Sequence, residues 1–117
     1  MTDIILSSPM KIDIKMYRGD SGSFRITMTD PDDNPIDISG ATWDGDIRLT
    51  QNDTDLITGF DFVPVVGDTS SVDVLLPPEK SELISVKSVY DIEMRLGGVV
   101  STLIYGNIIP TQDVSRP

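Results

Sequence analysis

Every second residue is apolar along most of this chain, the pattern of β-strands that bury one face. Ile12, Ile14 and Met16 alternate with Lys11, Asp13 and Lys15, and Phe24, Ile26 and Met28 alternate with Arg25, Thr27 and Thr29. The intervening YRGDSGS, with two glycines and small polar residues, predicts a hairpin connection between these first two strands. Asp30 to Gly40 (DPDDNPIDISG) predicts a loop, because its prolines preset φ and its Asp and Asn residues favour turns. A third strand places Trp43, Gly45, Ile47 and Leu49 on one side and Asp44, Asp46, Arg48 and Thr50 on the other. After a turn at Gln51 to Asp55, Leu56, Thr58, Phe60 and Phe62 alternate in a fourth. Val66-Gly67-Asp68-Thr69 turns into a fifth strand with Val72, Val74 and Leu76 inward. Ser71, Asp73 and Leu75 take its other face, which the apolar Leu75 predicts to be partly covered.

PPEKSELIS is the one helical signal. Pro77 and Pro78 suit a first turn, and Glu79 and Glu82 favour its positive end. The last two strands form a hairpin about Gly97-Gly98, a two-residue loop suited to a type I′ turn. That loop sets Leu96 opposite Val99, Met94 opposite Ser101, Ile92 opposite Leu103, and Tyr90 opposite Tyr105. Arg95, Glu93 and Asp91 then share the other face with Val100, Thr102 and Ile104. A slip of one residue would bury Asp91 and Glu93, so the register is well specified.

These elements predict an all-β, immunoglobulin-like two-sheet sandwich of about seven antiparallel strands with one short helical turn. A small closed barrel is the other arrangement the pattern allows. The expected organisation is an N-terminal arm over 1–9, a sandwich domain over 10–109 and a C-terminal tail over 110–117.

Composition narrows the chemistry. A chain of 117 residues fits one domain and buries enough surface to fold without staples. It has no cysteine, so no disulfide forms, and no histidine, which removes the commonest metal ligand and the side chain that titrates near neutrality. A net charge of −10 opposes nucleic acid and anionic membranes as partners. MTDIILSSPM lacks the basic and apolar regions of a signal peptide, and no run of 18 apolar residues occurs, so no passage through a membrane is expected.

Several short motifs suggest chemistry that their surroundings do not support. GDSG (Gly19 to Gly22) copies the nucleophile segment of chymotrypsin-like proteases, which need a histidine this chain lacks. Arg18-Gly19-Asp20 spells the integrin tripeptide, yet glycine and aspartate are also what a tight connection favours. Asp30, Asp32 and Asn34 start with the spacing of a calcium loop, but its glycine falls at Pro35 and its glutamate at Ala41. Asp44 and Asp46 share a strand face as paired carboxylates would, and equally as solvated strand residues do. Trp43, Tyr90 and Tyr105 read as packing residues in preference to a sugar platform. No catalytic, metal-binding or cofactor-binding residue is expected, and no cofactor.

The order of features resembles the small β-sandwich tail and collar (minor tail) proteins of tailed bacteriophages, which are similar in style to the N-terminal domains of baseplate upper proteins. The resemblance rests on RGDSGSFRITMTDPDDNPIDISGATW, LLPPEKSELIS and VYDIEMRLGGVVSTLIYGNIIPTQDVSRP, and so spans nearly the whole chain. It departs from the pattern in Asp44-Gly45-Asp46, which interrupts a usually plainer third strand, and in a longer N-terminal arm. The resemblance implies a non-enzymatic virion protein, assembled in the bacterial cytoplasm as a homo-oligomeric ring that contacts other phage structural proteins. Ile4, Ile5, Leu6 and Val114 are the candidate interface residues, because apolar side chains on arms seek a neighbouring chain or an exposed sheet edge; the alternative for Ile4, Ile5 and Leu6 is pairing within their own sheet. The alternatives are a stand-alone binding module for a carbohydrate or protein ligand, and a head-decoration protein.

Overall fold

The computed structural model describes residues 9–111 in full and the backbone of 2–6. Strands dominate it: β1 (Thr2–Leu6), β2 (Met10–Lys11), β3 (Ile14–Tyr17), β4 (Gly22–Met28), β5 (Thr42–Asp44), β6 (Asp46–Arg48), β7 (Thr58–Gly59), β8 (Asp61–Pro64), β9 (Ser71–Leu76), β10 (Ser88–Leu96) and β11 (Val99–Thr111). One helical turn, α1 (Pro78–Ser81), follows β9, with Pro77 at its N-cap as the double proline predicts. The strands form two sheets. The smaller has the order β1-β4-β9-β8; the larger runs β2-β11-β10-β6-β7, with β3 also on β11 and β5 also on β10.

This is the all-β two-sheet sandwich that the alternation predicts. The seven alternating segments are all present, and the count of described strands rises to eleven because three segments are broken and Thr2–Leu6 adds β1. β2 and β3 flank one break, β5 and β6 another, and the fourth segment changes sheets at Phe60, so that β7 lies in the larger sheet and β8 in the smaller. The strand order of each sheet is that of an immunoglobulin-like sandwich. Its edges differ from an all-antiparallel arrangement: β1 runs parallel to β4, and β2 and β3 run parallel to β11.

The core is where the inner faces meet. Ile26, Val72 and Val74 from the smaller sheet pack with Ile47, Ile92, Ile104 and Ile108 from the larger, all nearly or wholly excluded from solvent. Each such side chain contributes roughly 1.5–3 kcal/mol on burial. Ile84, fully buried just after α1, closes one end. An aromatic chain crosses the interior, with Phe60 edge-on to both Phe24 (6.3 Å) and Tyr90 (5.6 Å). The Tyr90 hydroxyl donates to the Ile12 carbonyl at 2.6 Å, anchoring the β2–β3 break to β10. Burial, with the Asp13 charge nearby, raises the Tyr90 pKa well above its usual value.

Three expectations are corrected. Residues 18–21 do not close a hairpin, because β3 pairs with β11 and β4 with β9, so the segment passes from one sheet to the other. Leu49 and Leu56, placed within the third and fourth strands, are exposed outside them, Leu49 after β6 has ended and Leu56 before β7 begins. The β10–β11 register agrees from Leu96–Val99 to Glu93–Thr102, then shifts: Ile92 faces Ile104, Asp91 faces Tyr105 and Tyr90 faces Gly106. Leu103 is the extra residue of a β-bulge. Bulging lets both Leu103 and Ile104 enter the core, while Asp91 and Glu93 stay outside.

Candidate functional site on the outer face of the larger sheet

A substantial concavity lies on the solvent face of the larger sheet. Cross-strand rows build it. Lys11 of β2, Tyr105 of β11 and Asp91 of β10 stand side by side across three strands. Thr102, Glu93 and Asp44 form the next row, and Asn107, Val89 and Arg48 the row on the other side. Together they line an open groove of about 750 Å3.

The groove forms where β10 loses regular pairing on both sides at one level. On one flank, the Leu103 bulge falls opposite the Ile92–Glu93 step. On the other, β5 pairs with residues 93–95 and β6 with residues 89–90, leaving a gap at Gly45 beside Asp91 and Ile92. Gly45 is required there: a Cβ would stand 2.8 Å from the Phe62 ring and 3.0 Å from that of Phe60, and its carbonyl accepts from the Phe60 N–H at 2.9 Å. Phe62 in turn stacks on Trp43 at 5.6 Å. Core packing against Gly45 therefore breaks the third strand and shapes the outer face.

Charge in the groove is largely paired. Arg48 holds Asp46 at 2.9 Å and donates to the Thr54 carbonyl at 2.9 Å. Arg95 lies 3.3 Å from Asp44 and 3.8 Å from Glu93. The Asp91 carboxylate makes no hydrogen bond or ion pair with a described residue. Partial burial raises its pKa, reinforced by the charges of Asp46 and Asp44 and opposed by Arg48. Asp44 and Asp46, singled out as a possible carboxylate pair, thus serve as arginine partners. Among the described residues no group of three or more acidic, histidine or cysteine side chains is arranged to hold a metal ion.

The remaining motifs have structural duties. Arg18 donates through Nε to the Glu82 carbonyl at 2.6 Å, while the Gly19 N–H donates to Ser81 Oγ, and Ser81 Oγ donates to the Asp20 carbonyl. Ser81, fully buried, thereby straps the Arg18-Gly19-Asp20 segment to α1. Asp30 Oδ1 accepts from the Asp32 and Asn34 N–H groups at 2.9 Å each, locking a turn in which Asp33 takes a positive φ of 63°. The three aromatics considered as a platform are separated: Trp43 is half-buried on Phe62, Tyr90 is in the core, and only Tyr105 faces solvent in the groove. Of the candidate interface residues, Ile4, Ile5 and Leu6 lie in β1, whose backbone extends the smaller sheet of the same chain beside Ile26, Thr27 and Met28. Val114 lies outside the described residues. β11 continues through Thr111, two residues beyond the expected domain boundary.

Sequence reasoning missed Tyr105 as a surface group because it ran the hairpin register straight past Leu103. The signal was present in Leu103-Ile104, two consecutive apolar residues that a regular strand cannot both bury. A second, smaller crevice of about 380 Å3 opens between β3 and β4, lined by apolar residues including Ile14, Met16, Phe24 and Leu76. Comparison of the chain with protein-family models and with curated proteins found no match.

Proposed function

We propose that this chain is a non-enzymatic structural component of a tailed-phage virion, a multi-copy protein of the tail, collar or baseplate region that contacts other virion proteins. One observation supports the non-enzymatic part: the buried serines among the described residues all hold the fold together. Ser81 straps the connection after β3, Ser70 and Ser71 donate to Asp68 at 2.8 Å, and Ser88 donates to the Val86 carbonyl at 2.8 Å. The same holds for Asp13, Asp30, Asp37 and Asp68, whose carboxylates accept from nearby backbone N–H groups. Such a molecule offers shape, rigid turns and strand edges, which is what a repeated assembly unit requires. The virion assignment rests on the resemblance in feature order and turn chemistry described above.

Immunogold labelling of particles, using antibody against the purified chain, tests this reading. Label at a fixed position on the particle is the expected result, together with entry of the chain into larger species when light scattering is measured with tail lysate. A chain that stays monomeric in lysate and never labels particles overturns it.

A further inference from the structure

The groove on the larger sheet presents donors and acceptors together, and we propose that it binds a neutral polyhydroxylated ligand, an oligosaccharide laid across the Lys11–Tyr105–Asp91 row. The site goes beyond the assembly role and stands independently of it.

Charge selects the ligand class. Asp44, Asp46, Asp91 and Glu93 share the groove with Lys11, Arg48 and Arg95. An anionic ligand meets the carboxylates, and a cationic one meets the two guanidinium groups and the ammonium. A hydroxyl group both donates and accepts, so a neutral sugar matches a surface of mixed sign at every point. Asp91 is the acceptor left available, since Asp44, Asp46 and Glu93 already face arginines. Its partial desolvation makes hydroxyl donors at that position more valuable than at a fully solvated carboxylate.

Tyr105 supplies the apolar contact. It is 44% exposed and directly opposite Asp91, where its ring can pack on the C–H face of a pyranose while Asp91 accepts from adjacent hydroxyls. The placement depends on the Leu103 bulge, the kind of irregularity that re-aims side chains beside functional sites. A volume of about 750 Å3 suits a small-molecule ligand, given that such sites span roughly 300–1,000 Å3. Its open form, spanning several strands of the sheet, suits a chain of sugars better than an enclosed metabolite.

The test is an amide-resolved NMR titration of the full chain with hexasaccharides of glucose (α- and β-linked) and of N-acetylglucosamine, with a galacturonate hexamer and spermine as charged controls. At least one neutral probe should shift the resonances of Asp91, Glu93, Thr102, Tyr105 and Asn107. Tyr105→Ala and Asp91→Asn, both at exposed positions, should each weaken that binding by about tenfold or more with the rest of the spectrum preserved. Glu79→Gln, on α1, should bind as the parent does. The inference is overturned if neutral probes at millimolar concentration leave these residues unmoved, if only galacturonate or spermine shifts them, or if Tyr105→Ala binds unchanged. Particle labelling is unaffected by any of these outcomes, so this proposal and the assembly role fail separately.

Discussion

Gly106 sits where β11 passes closest to the break between β2 and β3, and a Cβ there would collide with the Ile12 carbonyl oxygen. That oxygen also receives the Tyr90 hydroxyl, so the obstacle is backbone already fixed by a short hydrogen bond. A methyl group at 106 therefore has to push β2–β3 off its neighbours. Gly106→Ala should lower stability by about 3 kcal/mol, at the upper end of ordinary overpacking because backbone must move. Gly22 offers the control: nothing lies within 4 Å of its Cβ position. Gly22→Ala should change stability by no more than about 0.5 kcal/mol. Urea denaturation of both variants against the parent decides the matter, and equal losses would contradict the packing account.

At the scale of elements, the hairpin of β10 and β11 shows what alternation reveals and what it conceals. The two-glycine turn is legible because Gly97 and Gly98 adopt positive φ angles of 60° and 80°. The register near the turn follows from it. Beyond Thr102, tertiary packing decides: two adjacent aliphatic residues both find space inside, and the strand bulges to admit them. The broken third segment was half legible. Its outward Asp44 and Asp46 followed from the alternation, but the reason for Gly45 lies with Phe60 and Phe62, on a segment that the local sequence does not show as its neighbour. The groove escaped notice for the same reason, since each of its flanks is an irregularity set by core contacts. The bulge makes a direct prediction. Deleting Leu103 should leave Ile104 opposite Ile92 and Tyr105 opposite Asp91, now in unbroken register. The cost should be that of one lost core aliphatic side chain, about 2–5 kcal/mol. Cross-strand nuclear Overhauser contacts in the deletion variant provide the check. If the contacts shifted so that Tyr105 faced Tyr90, the bulge would be compensating for something other than a surplus core residue.

Across the whole molecule, acidic groups set how stability depends on pH. Accepted hydrogen bonds hold three aspartates below the usual carboxylate range: Asp13 chiefly through the Asn107 N–H, Asp37 through the Ser39 hydroxyl, and Asp68 through the Ser70 N–H. In that range the unfolded chain binds more protons than the folded one at these sites. Their contribution is therefore complete above the unfolded value near 3.8 and disappears as pH falls through the lower folded values. Asp91 has the opposite sign. Its folded pKa is raised, so its ionisation in the groove costs stability as pH climbs from the unfolded value through the folded one. With no histidine in the chain, stability should be nearly flat between about pH 6 and 7, where ordinary carboxylates are ionised and lysines remain charged. Below about pH 4 it should fall, because the three depressed sites lose their contribution in that window while Asp91 acts only above it. Urea midpoints measured from pH 2.5 to 7 on three proteins separate the contributions. Asp68→Asn should be less stable than the parent at neutral pH and should converge on it in acid, as the parent loses the charge that its hydrogen bonds favour. Asp91→Asn should be the more stable protein at neutral pH, with its advantage vanishing in acid once the parent carboxyl is protonated. Profiles for the two variants that ran parallel to the parent would mean that these carboxylates are equally at ease folded and unfolded. The hydrogen-bonded turns would then define shape without contributing to acid stability.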